Sequence, residues 1–277
     1  MASSVDSNSL FRVDGIVAVI TGGLGIGLIM ARALALNGAN EVYILGRRLE
    51  VLNTAVQEHS SLVPLQCDVT SKENLQAAVS RITDEVGYVN LVVANSGSIG
   101  PPARFNPSSS LAELRETLFT NFSMDAMNEV LNLNVTAAFF SMTAFLEPLN
   151  AGNKNALKGG FAKPINEGSH VLLFRVSKVV IIQVTKHAST QLARFGIRMN
   201  AIALGVYPST LSSILMGNRK PEEESIDDQL FIPARRFGGD EEMTGAILYL
   251  TSRSGSFSNG SILITDSGRL SVMTGTY

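Results

Sequence analysis

The stretch Ile16-Val17-Ala18-Val19-Ile20-Thr21-Gly22-Gly23-Leu24-Gly25-Ile26-Gly27 decides how the rest of the chain is read. Five apolar residues bounded by glycine predict a buried parallel strand. Beyond the glycines, Leu28, Ile29, Ala31, Leu34 and Ala35 recur at helical spacing until Asn37-Gly38, where Gly38 is a natural C-cap. A glycine turn between strand and helix lets the backbone pass close to a pyrophosphate, and the helix start turns free N–H groups and its positive dipole end toward that anion. The ligand predicted is a dinucleotide, held by Thr21, Gly22, Gly23, Gly25, Ile26 and Gly27. Glycine turns also join strands to helices in proteins that bind nothing, so the motif takes its meaning from context. That context is a continuing strand and helix alternation.

The 277 residues are enough for one large α/β domain with a sizeable core. A formal net charge of −2 and a pI near 6.0 give no basic field, so neither nucleic acid nor an anionic membrane is an expected partner. The single cysteine, Cys67, excludes an internal disulfide and suits a reducing compartment. The polar N-terminus lacks a signal-type apolar run, and Val171–Val184 is interrupted by Arg175 and Lys178 and too short to span a bilayer. A cytoplasmic protein is expected, with residues 1–10 disordered and 11–277 forming the nucleotide-binding domain. No metal site is expected.

Along the chain, Glu41–Leu45 reads as the second strand and ends in Gly46-Arg47-Arg48. An acidic side chain at this tip would hold a ribose 2′-hydroxyl, whereas arginine accommodates a 2′-phosphate, so NADP is favoured over NAD. The bland reading is that Arg47 and Arg48 start a solvated helix, Leu49–His59. Leu62–Cys67 is the third strand, Ser71–Val86 a helix and Val89–Ala94 the fourth strand. Asp68 is equally suited to cap the turn into Ser71. Ser98–Ser110 is a proline-rich loop, Leu111–Leu149 is mostly helical, and Asn150–Gly168 reads as an exposed loop. Ser169–Phe174 reads as the fifth strand, Val179–Phe195 as a helix, and Gly196–Gly205 as the sixth strand and its exit. Leu211–Pro233 reads as a lid, Glu242–Thr251 as the last helix and Gly260–Gly268 as the closing strand and turn. The sum is a Rossmann-type doubly wound parallel sheet of about seven strands in one domain, with a lid near 206–235.

Thr21-Gly22 followed by Gly25-Ile26-Gly27 resembles the glycine turn of the short-chain dehydrogenase/reductase family, one residue shorter than usual. From Phe11 to Val272 the order of motifs is similar to that family, and Tyr43–Arg48 and Phe237–Leu250 most resemble its fungal-type ketoacyl or carbonyl reductases. The resemblance implies that Asp68 and Val69 lie along the adenine and that Asn95-Ser96-Gly97 supports sheet and cofactor, with Ser96 where alanine is usual. It implies that Asn134 bends its helix and holds a water of the proton relay; the bland reading is a satisfied core amide. Gly205 and Thr210 would border the nicotinamide, with Leu204 in place of a proline, and Ser267 stands where glycine is usual. Lys178, preceded by Ser177, matches the active lysine, which also binds the ribose; the bland reading is a lysine on a solvated helix face.

Between strand and helix the family places a serine, a loop and a tyrosine four residues before the lysine. Here position 174 is phenylalanine and the loop is missing. A lysine beside a tyrosine favours the phenolate and so makes a usable proton donor, and phenylalanine has no proton to give. Two readings follow. One is an NADP-linked oxidoreductase of a ketone or secondary alcohol in a small metabolite, with impaired or lost hydride chemistry and with Asn134 and Lys178 as remnants of the relay. The other is a non-catalytic NADP-binding or structural protein. A single contiguous missing block is also what a skipped exon leaves. Apolar faces on Asn134–Leu146 and Val179–Leu192 lead us to expect a homo-oligomer or pairing with a homologue, and the short join predicts strain around Phe174–Ser177.

Overall fold

In a computed structural model of the chain, the described residues are 6–57, 59–100, 108–120, 122–155, 163–168, 172–228 and 230–272. The strands are β1 Val17–Thr21, β2 Glu41–Gly46, β3 Leu62–Gln66, β4 Leu91–Ala94, β5 Lys163–Gly168, β6 Asn200–Leu204 and β7 Ile262–Thr265. All neighbours pair in parallel, in the order β3-β2-β1-β4-β5-β6-β7. The helices are α1 Ser7–Leu10, α2 Ile26–Leu36, α3 Leu49–Ala55, α4 Lys72–Glu85, α5 Leu111–Arg115, α6 Met124–Leu131, α7 Ala138–Ala144, α8 Leu146–Gly152, α9 Leu172–Leu192, α10 Ser213–Met216, α11 Asp240–Thr251 and α12 Arg269–Val272.

Alternation along each strand sends its side chains to opposite faces, and both faces are apolar because helices cover both. Ala18, Ile20, Val42 and Ile44 pack with Met30 and Leu34 of α2 and Met243 and Ile247 of α11. Val17, Val19, Tyr43 and Leu45 face Leu75 and Ile82 of α4 and Phe145 and Leu149 on the other side. The sheet order reverses between β1 and β4, so their carboxyl ends open a crevice at the switch point where such sheets bind ligands. Among the described residues, no single helix is long and apolar enough to cross a membrane.

Four expectations need correction. The fifth strand is Lys163–Gly168, not Ser169–Phe174: Ile165 pairs with Val93 on one side and with Asn200 on the other. Leu172, Leu173 and Phe174 instead open α9, while Ser169, His170 and Val171 lie outside the described residues. A short apolar run fits a buried helix as well as a strand, and here its length misled. Consequently Asn150–Gly168 is not one loop, and Phe174–Ser177 sit within a regular helix and not in a strained join. Ser7–Leu10 is also ordered: the Asp6 carboxylate accepts from the Asn8 and Ser9 N–H groups and caps one helical turn. Residues 1–5 lie outside the described part.

Candidate cofactor and active site

The crevice holds a cavity of about 830 Å³. Its floor is the glycine turn. Gly22 (φ 76°) and Gly25 (φ 54°) have left-handed backbones that only glycine adopts cheaply, and an added Cβ on Gly27 would lie 2.6 Å from Asn95 Nδ2. Asn95 clips this turn from β4: its Nδ2 donates to the carbonyls of Thr21 (2.9 Å) and Gly22 (2.8 Å). Thr21 answers through its hydroxyl oxygen, which accepts from the Asn95 and Ser96 N–H groups at 3.1 Å each. Thr21 and Gly27 therefore lie behind the cavity and shape it, while Gly22, Gly23, Gly25 and Ile26 line it.

Helix α2 begins without a side-chain cap, its Ncap being Gly25. Its first N–H groups are thus left for an anion. The shortened turn still presents this feature, and Ser209 closes over it: a Cβ added to Gly25 would meet the Ser209 Cβ at 3.1 Å. Ser209 shares its hydroxyl with Ser212 at 3.0 Å, and both line the cavity beside Thr210. The sequence resemblance laid Val206–Thr210 along the nicotinamide and singled out Thr210, not Ser209. Two adjacent hydroxyl residues look alike in a sequence, and only the path of the loop shows which one packs on the glycines.

At one end Arg47, Arg48, Asp68 and Val69 line the cavity together, with Cys67 beside them. Both arginines are exposed. The hydroxyl and N–H of Thr70 donate to Asp68 Oδ1 and hold its carboxyl below the usual range, with a smaller contribution from Arg47. Burial pushes the Cys67 thiol up to about 11, helped by Asp68, so it stays protonated. The glycine cradle and the open helix start fit a dinucleotide.

At the opposite end the wall is Ser96, Gly97, Ser98, Asn132, Leu133, Lys178 and the Gly205–Tyr207 strand exit. Gly205 is required there, because a Cβ would meet Asp266 Cα at 2.8 Å. Asn134 is buried in a π-helical stretch, Asn132–Ala137. Its amide does not line the cavity. Oδ1 accepts from Ser98 N (2.8 Å), and Nδ2 donates to Ser98 O (2.9 Å) and to the buried Ser177 hydroxyl (3.0 Å). The side chain thus ties the loop after β4 to α9, which carries Lys178, and that is a positioning role. Phenols offer little here. Tyr43 lies on the far face and donates to Glu41 (2.6 Å) and Glu85 (2.9 Å), which, with burial, hold it protonated. Tyr207 is buried in the wall with its ring against Gly238.

The family model described as enoyl-(acyl carrier protein) reductase matches residues 22–269. The short-chain dehydrogenase/reductase SAT3 of Stachybotrys chartarum is 48% identical over 271 residues, covering 90% of this chain and 100% of that protein. PhomF, a short-chain dehydrogenase/reductase of Diaporthe leptostromiformis, is 39% identical over 298 aligned residues and is matched along the whole of both proteins. Those 298 positions exceed the 277 residues of this chain, so PhomF carries stretches with no counterpart here. A gluconate 5-dehydrogenase of Burkholderia cenocepacia, solved in complex with NADP and tartrate, superposes with a TM-score of 0.75 at 26% identity, covering 95% of this chain and 98% of that one.

Proposed function

The chain belongs to the short-chain dehydrogenase/reductase family, and from that premise we propose that it is an NADP-binding member whose oxidoreductase chemistry is impaired. The observation that carries this reading is a contrast within one cavity. The nucleotide end is complete, whereas only Ser169, His170 and Val171 separate β5 from α9 and position 174 is Phe. The aligned length of PhomF, longer than this chain, agrees with a segment lost somewhere along it.

In this reading Arg47 and Arg48 receive the 2′-phosphate, and the α2 start with Ser209 receives the diphosphate. Asp68 and Val69 flank the adenine. Lys178 holds ribose hydroxyls, and Asn134 fixes the loop and helix on either side of it. A nicotinamide nucleotide, when bound, supplies the hydride. The tyrosine expected four residues before Lys178 is Phe174, so that position brings no proton. Reducing a ketone requires an acid at the carbonyl oxygen, and losing a general acid typically costs ~10²–10⁴ in rate. The substrate class proposed is a ketone or secondary alcohol of a small metabolite.

Thermal-shift titration tests the cofactor assignment. NADPH should raise the unfolding temperature at lower concentration than NADH, and Arg47→Glu should weaken NADPH at least tenfold while leaving NADH nearly unchanged. Equal responses to both nucleotides, or none, would overturn the assignment.

A further inference from the structure

We propose that a second cavity, behind the exit of β6, is a small-molecule site for a flat apolar body carrying one anionic group. The cavity is about 550 Å³ and lies between the 232–238 segment, helix α11 and the ends of β6 and β7. That volume falls in the range of drug-sized ligand pockets, roughly 300–1,000 Å³. Its walls are mainly apolar, with Val206, Tyr207, Ile232, Phe237, Ala246 and Leu263 facing the space.

The polar groups around it select for charge. Asp266 is fully engaged, since its two oxygens accept from the Gly268 and Leu270 N–H groups at 2.9 and 2.8 Å. Glu242 accepts from Gly239 N (2.8 Å) and Arg236 (2.5 Å). Glu242 is thus paired with a cation, and Asp266 is held by backbone donors. Arg236 donates to Glu242 and to the Phe237 carbonyl (3.1 Å), and a guanidinium has five N–H donors, so further ones remain for an anion at the mouth.

Two further features mark the place. Among the described residues, Arg235 (φ 56°) and Ser267 (φ 58°) are the two non-glycine positions with left-handed backbone; Ser267 lines this cavity, as do Ala234 and Arg236 on either side of Arg235. Such strain gathers where a surface is shaped for a ligand. The Thr265 hydroxyl, in the wall, is buried without a hydrogen-bond partner among the described residues. The inference stands apart from the reductase reading, because it needs neither cofactor nor catalysis.

Anilinonaphthalene sulfonate has the required shape and charge, and its fluorescence in titration of the full chain is the readout. A Cβ at Gly245 meets nothing within 4 Å, so substitutions there add volume at the mouth without collision. Gly245→Phe, and independently Ala234→Trp from the opposite wall, should weaken the probe at least tenfold with the unfolding temperature retained, while Gly245→Ala stays within twofold. Unchanged affinity in either folded bulky variant, or no saturable binding by the unsubstituted chain, overturns the proposal. A crystal soaked with the probe decides if both variants unfold: density between Phe237 and Leu263 supports the site, and density only elsewhere ends it.

Discussion

Ser267 shows how a single backbone angle explains an odd residue. Its φ of 58° is a left-handed conformation that costs a side-chain-bearing residue roughly 1–2 kcal/mol, and the hydroxyl recovers only a long bond from Ala234 N at 3.5 Å. Ser267→Gly should therefore stabilise the chain by about 1 kcal/mol, seen as a higher urea midpoint with an unchanged slope. A lower midpoint would mean that the Ser267 hydroxyl does more than its geometry suggests. At the same scale, the Asn95 amide clips the glycine turn through Nδ2, and Asn134 has both ends of its amide engaged, joining Ser98 to Ser177. Both asparagines were legible in the sequence through the motifs around them. Ser209 was not, because its role depends on a loop folding back over Gly25.

Helix α11 carries the clearest electrostatic device among the elements. Arg236 and the Gly239 N–H hold the Glu242 carboxyl down to about 2, and these contacts fasten the segment before α11 to the helix start. A carboxylate whose folded pKa lies below its unfolded value of about 4.3 contributes stability above that value and loses it as pH falls toward 2. The pair is partly exposed, so the contribution is about 1 kcal/mol or less and weakens with salt. Glu242→Gln should thus be less stable than the parent at pH 6, with the gap closing between pH 5 and 2; a gap that persists at pH 2 would contradict the assignment. Strands β1, β2, β3 and β4 were legible within two residues, and β6 and β7 as the middles of the longer stretches Gly196–Gly205 and Gly260–Gly268, since apolar runs bounded by glycine, proline or asparagine have one reading in an alternating chain. Strand β5 was not. Its sequence Lys163-Pro164-Ile165-Asn166-Glu167-Gly168 is polar, and only its pairing with Val92, Val93 and Ala201 identifies it.

Over the whole molecule, helices on both faces of a parallel sheet put one open crevice at the β1/β4 switch point, and the glycine turn, the arginine pair and the lysine helix converge on it. That convergence follows from topology. The account therefore separates two properties that usually travel together, a nucleotide cradle and a proton donor. The most direct measurement follows NADPH with the purified chain and a panel of ketones, reading binding by fluorescence and oxidation by absorbance in one sample. Saturable binding with oxidation at least ~10²-fold below that of an intact relative is the predicted result. Oxidation at the relative's rate, abolished by Tyr207→Phe or by any other loss of a hydroxyl, would contradict it.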